Sequence, residues 1–526
     1  MLKWLVPGVA VAVGAAALAV WGVSPHSRFA IRDSRIANAS EPPTVPSVLN
    51  LAAYIPPQCY AKARDEQGTH NGCFTCHRES RIPNYVDDED VQTTFSFARF
   101  ATDNHWANSL HPPAPADIDD ASLLSWVRTS NYPVNKTVGF VPDAAFRFDT
   151  DGFDHAADGR ATGWRAFAYT PTPGMFWPTN GSAGDVLIRL PEAFRQNERG
   201  EEDARIYQLN FALVEAYVRE QDVPIAATDE RALGSDLDGD GALGTARRVA
   251  FRWPMPADAP RRYVGKAREE RMAAGLFPVG TEFLHTLRYL DVQGAEVRMA
   301  PRMKEVRYMR KMRWLTYSDL QLRAQEEARE KTKTPNRLKK PMGDAEHGIN
   351  NGVGWVLQGY IEDRDGKLRP QSFEETLACV GCHGGVGATT DSVFAFPRRI
   401  GWYHWTDHGL AGVAEPLRKD GQGEYAHWLA QVGGGDDYRT NEEVRARFFR
   451  ADGSLDPEAL HRLSKDIATL LVPSPERALA LNRAYLAIVR AQSFNLGRET
   501  IVGDSPHVHT AVLQDDTTGI ERAASP

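Results

Sequence analysis

Cys73-Phe74-Thr75-Cys76-His77 and Cys379-Val380-Gly381-Cys382-His383 are the two stretches on which the reading of this chain turns. Cys-x-x-Cys-His reads as a site of covalent haem c attachment. The spacing has a chemical reason. Two thiols add to the two vinyl groups of one porphyrin, so they must stand a short, fixed distance apart. The adjacent histidine then lies beneath the ring and offers iron an axial nitrogen. The motifs use four of the five cysteines, and each has its histidine. The blander readings are a zinc site or a thioredoxin-like dithiol. The expected porphyrin attachments are Cys73, Cys76, Cys379 and Cys382, and the expected proximal iron ligands are His77 and His383.

On these motifs the chain resembles the dihaem c-type cytochromes. The resemblance implies two haems c, export, redox chemistry and short helices wrapped around each porphyrin. The expected fold is α+β and mainly helical, with two cytochrome c-like helical haem segments flanking a mixed α/β insertion. Among enzymes, the chain distantly resembles the dihaem peroxidases. Their attachment sites lie much closer together than the 306 positions that separate Cys73 from Cys379 here.

Working outward, Lys3 precedes an uncharged, mostly apolar run, Trp4 to Val23. It is long enough to span a bilayer and also compatible with a signal peptide. Residues 1–23 are therefore read as a signal or membrane anchor, and 24–47 as a linker. Both readings place the bulk in the periplasm, and an uncleaved helix would tether it to the inner membrane. Residues 48–145 form the expected first haem segment. Residues 146–345 form the insertion, and 346–526 the second haem segment with a C-terminal tail. Within these, Asp185–Leu190 and Phe283–Val292 read as strands and Ile206–Arg219 as a helix. Met303–Glu330 reads as one or two helices. Pro457–Leu471 and Pro475–Ser493 read as helices capped by Asp456 and Ser474. Cys59 has no partner left for a disulfide and is expected to be buried and inert.

Each iron needs a sixth ligand or an open face. His105 is the candidate at the first haem, with His111 and His70 as rivals. At the second, His408 and His404 share one face if their segment is helical, and His427 and His347 are further candidates. Two closed irons would make an electron carrier between a quinol-side donor and a redox partner protein. One open iron would make a peroxidase- or oxygenase-like oxidoreductase. A third reading treats the insertion as a binding module with the haems as redox sensors.

Asp236-Leu237-Asp238-Gly239-Asp240-Gly241 matches the start of an EF-hand-like calcium loop. Its twelfth position is Arg247, where a bidentate Glu belongs, so a remote ligand is required. Asp236, Asp238 and Asp240 are the calcium candidates, and Asp149–Asp154 is a weaker echo. The net charge of −8 argues against nucleic acid as a partner. Against that balance, Arg302–Lys340 holds 13 Lys/Arg and 5 Asp/Glu. It reads either as a docking face for an acidic partner or anionic membrane, or as a solvated helix with a basic tail.

Overall fold

Strands dominate the middle of this molecule. A computed structural model describes residues 50–513 apart from 67, 78–81, 84–96, 133–139, 141, 256–261, 386–388, 406–408, 419 and 437–438. Residues 48–526 cluster as one unit and 1–47 as another. Helix accounts for 31% and strand for 24%. The mainly helical expectation is thus corrected: the principal element is a ten-stranded sheet.

The sheet strands are β1 (Phe153–His155), β2 (Ala161–Tyr169), β3 (Val186–Arg189), β4 (Glu282–Gln293), β5 (Glu296–Lys311), β6 (Gly343–Asp344), β7 (Gly348–Asn350), β8 (Trp355–Glu362), β9 (Leu368–Pro370) and β10 (Arg399–Gly401). Their order is β6-β7-β8-β5-β4-β3-β2-β10, with β9 on β8 and β1 on β2. Every pairing is antiparallel. The long hairpin β4–β5 closes over Gly294-Ala295, with Gln293 opposite Glu296. Gly294 has φ 63°, the left-handed geometry that a two-residue hairpin turn needs. The stretch expected to be a second helical haem segment contributes β7, β8, β9 and β10 to this sheet.

Six helices of some length accompany it: α1 (Asp120–Arg128), α2 (Ala204–Arg219), α3 (Tyr317–Lys333), α4 (Phe373–His383), α5 (Glu424–Val432) and α6 (Pro475–Ala491). Asp203 caps α2 by accepting from Arg205 and Ile206 N–H, and the buried face of α2 enters the main apolar core. Ser474 caps α6, which begins at Pro475. Asn482 of α6 clasps β4, donating to Leu290 O at 2.7 Å and accepting from Leu290 N at 3.2 Å.

Met303–Lys311 is strand, and only Tyr317–Lys333 of the expected helical stretch is helix. This also redistributes the basic segment. Arg302, Lys304 and Lys311 are buried. Arg302 pairs with Glu362, Lys304 donates to Gly181 O, Arg307 pairs with Glu305, and Lys311 pairs with Asp391. Three of the cations that suggested a docking face are therefore interior partners, and the half-buried Arg307 is also ion-paired.

The two ends of the described chain are joined. Lys62 N–H donates to His507 O at 2.7 Å, and bridges tie Ala61 to Val508 and Asp103 to Ala511. The segment carrying the first cysteine motif is thus stitched to the C-terminal segment.

Candidate functional site

One face of the sheet carries a chamber. Register explains its floor. Phe167 lies opposite Val186, Val186 opposite His285, and His285 opposite Arg307. Directly paired residues share a face, so these four form one row across β2, β3, β4 and β5. Phe283, Met309 and Leu357 form the next row across β4, β5 and β8. All seven line the chamber, which encloses about 1350 Å³ counting the solvent at its mouth.

Helix α4 supplies the second cysteine motif. A capping box fixes its start: Ser372 accepts from Glu375 N–H, and Glu375 accepts from Ser372 N–H. Arg369 then grips Glu375 through two hydrogen bonds at 2.8 Å. Cys379, Cys382 and His383, on the last turns of α4, line the chamber. His383 Nδ1 lies 2.8 Å from Ser392 O. A carbonyl can only accept, so Nδ1 carries the proton and Nε2 keeps its lone pair, the state a metal-ligating imidazole needs. Burial lowers the basicity of His383, with Arg307 adding to the effect and the Ser392 carbonyl opposing it. Burial favours the neutral ring, and the Nδ1–H form of that ring can make this hydrogen bond.

Ser392 is itself held. Asp391 and Ser392 both adopt left-handed backbone, φ 51° and 64°. The Asp391 carboxylate accepts from Lys311, from Phe277 N–H at 2.9 Å and from Trp355 Nε1 at 3.4 Å. The end of β5 therefore fixes the turn whose carbonyl orients His383.

Arg307, Arg398 and Arg498 also line the chamber. Arg398 pairs with Glu424 at 2.9 Å, and Arg498 reaches Glu305 at 3.1 Å. A largely apolar chamber with three ion-paired arginines and Glu499 on its walls suits an apolar ligand bearing a few polar groups.

The first motif lies beside the second. Cys73 shares an apolar cluster with Leu377 and Val380 of α4. A side chain at Gly381 would collide with Tyr54 O, 2.1 Å from its Cβ. That contact presses the Tyr54–Pro56 segment against α4. The Cys76 and Cys382 sulfurs are close enough to interact electrostatically, and burial pushes the Cys382 thiol well up. Phe74 packs edge-on against His427, 5.3 Å between ring centres. Cys73–Thr75 forms a 3-10 turn, and His77 N–H donates to Cys73 O at 2.9 Å.

No disulfide joins any of the five cysteines among the described residues. Among the described residues, no three Cys, His or carboxylate atoms at either motif converge as ligands of one ion. Burial raises the Cys382 thiol, the opposite direction from the acidified thiol of a reactive dithiol. Cys59 is half-buried, and burial raises its thiol well above the usual range.

The distal candidates are scattered. His105 Nε2 lies 2.8 Å from Phe100 O, and its ring stacks on Phe100 at 4.1 Å. His404 faces Asp185 at 3.4 Å and packs on Phe148. His408 lies outside the described residues. His347 is exposed and pairs with Asp344, and His111 is exposed. None of these lines the chamber; His285 does, and sequence reading missed it. Its only signal was a histidine set between the apolar residues Leu284 and Leu287 of a strand-like run.

The acidic loop gathers a different trio from the expected one. Ligand oxygens of Glu230, Asp236 and Asp238 all lie within 4.8 Å of one another. Glu230 is buried; Oε1 accepts from Leu237 N–H and Oε2 from Gly244 N–H at 2.8 Å. Asp240 turns to accept from Ala242 N–H. Glu230 takes the place of the remote carboxylate that Arg247 leaves missing. In the weaker echo, Asp149 accepts from Asp151 and Phe153 N–H, and Asp154 accepts from Ala145 and Arg147 N–H.

No helix among the described residues is long and apolar enough to cross a membrane; residues 1–23 lie outside them. No solved structure matches the chain. A family model described as a "-like lipoprotein" matches residues 114–466, which include the sheet, α4 and the acidic loop. An "Uncharacterized lipoprotein" of Aquifex aeolicus (strain VF5) is 30% identical over 516 residues, covering 85% of each chain. These matches correct the resemblance to dihaem c-type cytochromes and dihaem peroxidases. The relatives are lipoproteins, and neither the electron-carrier assignment nor the oxidoreductase one stands. By the extent of both matches, the chain belongs to this lipoprotein family.

Proposed function

We propose that this lipoprotein-family chain is an envelope haem-binding protein, holding haem c covalently in the sheet-floored chamber. The observation that carries the reading is the placement of Cys379, Cys382 and His383 on one helix end facing that chamber. The two thiols would bond the porphyrin edge, and the neutral His383 imidazole would offer iron its lone pair. Arg307, Arg398 and Arg498 would answer the propionates. When bound, haem supplies a tightly held iron centre. The chain's own part is to bind it, orient it and bury it. Cys73, Cys76 and His77 are proposed to hold a second haem c beside the first. Family membership supports attachment to the envelope membrane, and the apolar run before residue 24 supports placing the folded part on the periplasmic side.

A denaturing gel stained for haem tests this. The full chain, made in a host that attaches haem c, should stay stained. The joint variant Cys379→Ala/Cys382→Ala should fall from two haems per chain to one by pyridine haemochrome assay. Unchanged loading in that variant would remove the proposal.

The acidic trio supports a second proposed cofactor, calcium. Three carboxylates crowd together, one of them buried, and a hard cation would relieve their repulsion. At a hundredfold excess over its Kd, a bound ion adds about 2.7 kcal/mol. Calcium should therefore raise Tm, and a chelator should reverse the rise. Glu230→Gln should abolish the response, whereas Asp240→Asn should largely keep it. A calcium response that survives in Glu230→Gln would sink this trio as the site.

A further inference from the structure

We infer that His285 is a second ligand of the iron held at Cys379, Cys382 and His383, so that this iron would be closed by two imidazoles. The inference rests on the haem reading above and concerns a residue outside both cysteine motifs.

Three observations carry it. The first is position. His285 sits in the row Phe167, Val186, His285, Arg307, on the sheet floor of the chamber that α4 lines with Cys379, Cys382 and His383. Among the histidines of the described chain, only His285 and His383 line that chamber. The second is surroundings. Tyr169 and Phe176 meet the imidazole edge-on, with ring centres 5.8 and 5.2 Å away, and hold its plane. Its recorded hydrogen-bond contact is a long one, 3.3 Å from Nε2 to the Tyr169 hydroxyl. A hydroxyl rotor gives up such a contact at little cost. No carboxylate pairs with this ring among the described ion pairs, unlike His155, His347 and His404. The third is backbone space. Gly184 packs its backbone against this part of the strand: a Cβ there would come 3.3 Å from His285 Nε2 and 1.5 Å from Thr286 O. The chain beside β3 thus runs close against this part of β4, which fixes where the imidazole stands.

A histidine inside a strand is rigid in a way that a loop ligand is not. Its Cα is pinned by ladder bonds on both sides, to β3 and to β5. A ligand on a rigid element holds its position as the metal arrives. Two imidazoles make an iron low-spin and leave no coordination position for a small exogenous molecule. The chamber would then be a place where haem is kept, with its iron shielded.

The test uses the full-length holoprotein and its optical and electron paramagnetic resonance spectra. Wild type should show this iron low-spin. His285→Ala should convert one iron per chain to high spin, and added imidazole should restore the low-spin spectrum. His285→Met should stay six-coordinate with an altered spectrum, which keeps the test open if the Ala variant folds poorly. Any haem at the first motif is common to all samples and cancels in difference spectra. A full haem count with an unchanged low-spin spectrum in His285→Ala overturns this inference alone. A gel without haem stain overturns the haem reading itself, so the two failures are distinguishable.

Discussion

Asp391→Ala is expected to lower unfolding stability by about 3–5 kcal/mol, the cost of leaving one buried partner of an ion pair uncompensated. Asp391 and Lys311 are both almost wholly buried. Burial pulls Lys311 down and pushes Asp391 up, and each charge opposes that drift in the other. Removing the carboxylate strands the ammonium beneath Trp355 and also leaves Phe277 N–H without its acceptor. The double variant Lys311→Met/Asp391→Asn should recover most of the loss. Asn tolerates the left-handed backbone at 391 and keeps an acceptor for Phe277. Denaturant unfolding would show a shifted midpoint at constant slope. A double variant as unstable as the single one would mean that the turn, and not the charge pair, carries the energy. Because Ser392 follows directly, the single variant should also loosen His383 and lower haem loading at the second motif.

Glu305→Gln is expected to cost a similar amount, again about 3–5 kcal/mol, and to flatten the acid limb of the stability profile. Glu305 is buried between Arg307 and Arg498, at 2.9 and 3.1 Å. Burial alone would raise its pKa, but the two guanidiniums outweigh burial and hold it at about 2. The folded value lies below the unfolded one. The stabilisation is therefore complete above about pH 4.5 and is lost as pH falls towards 2. A shift of this size corresponds to roughly 3 kcal/mol. Stability measured between pH 2 and 5 should fall steeply in wild type and less steeply in Glu305→Gln. Parallel profiles would assign the acid sensitivity to other carboxylates.

Much of the local structure was legible in the residues, and the reason is visible in each case. Val186–Arg189 and Glu282–Gln293 alternate enough to read as strands, and Ile206–Arg219 has an apolar stripe, although the Asp203 cap just before it went unread. Asp456 and Ser474 cap the helices they were expected to cap. The stretch around Met303 misled because Arg302, Lys304, Glu305 and Lys311 sit on a buried strand. Charged residues placed in the interior defeat a reading by hydropathy, since the pattern assumes that charge faces water. The chamber was illegible for a different reason. Its floor is a row taken from four strands, and register is a long-range property that one segment does not encode. His285 therefore gave no sign of facing α4, while His105 and His404, nearer in sequence to the motifs, looked better placed.

The stitching of Lys62 to Pro506 and His507 sets an order of events during biogenesis. A chain that emerges N-terminus first presents Cys73, Cys76 and His77 early, but the residues that close over this segment arrive last. Lys62 Nζ meets Pro506 O across 444 positions. At synthesis rates of about 5–20 residues per second, the wait is roughly 20–90 s. Throughout that interval the first cysteine pair has no finished fold around it and remains open to whatever machinery handles thiols, whereas the second pair emerges with much of its sheet already made.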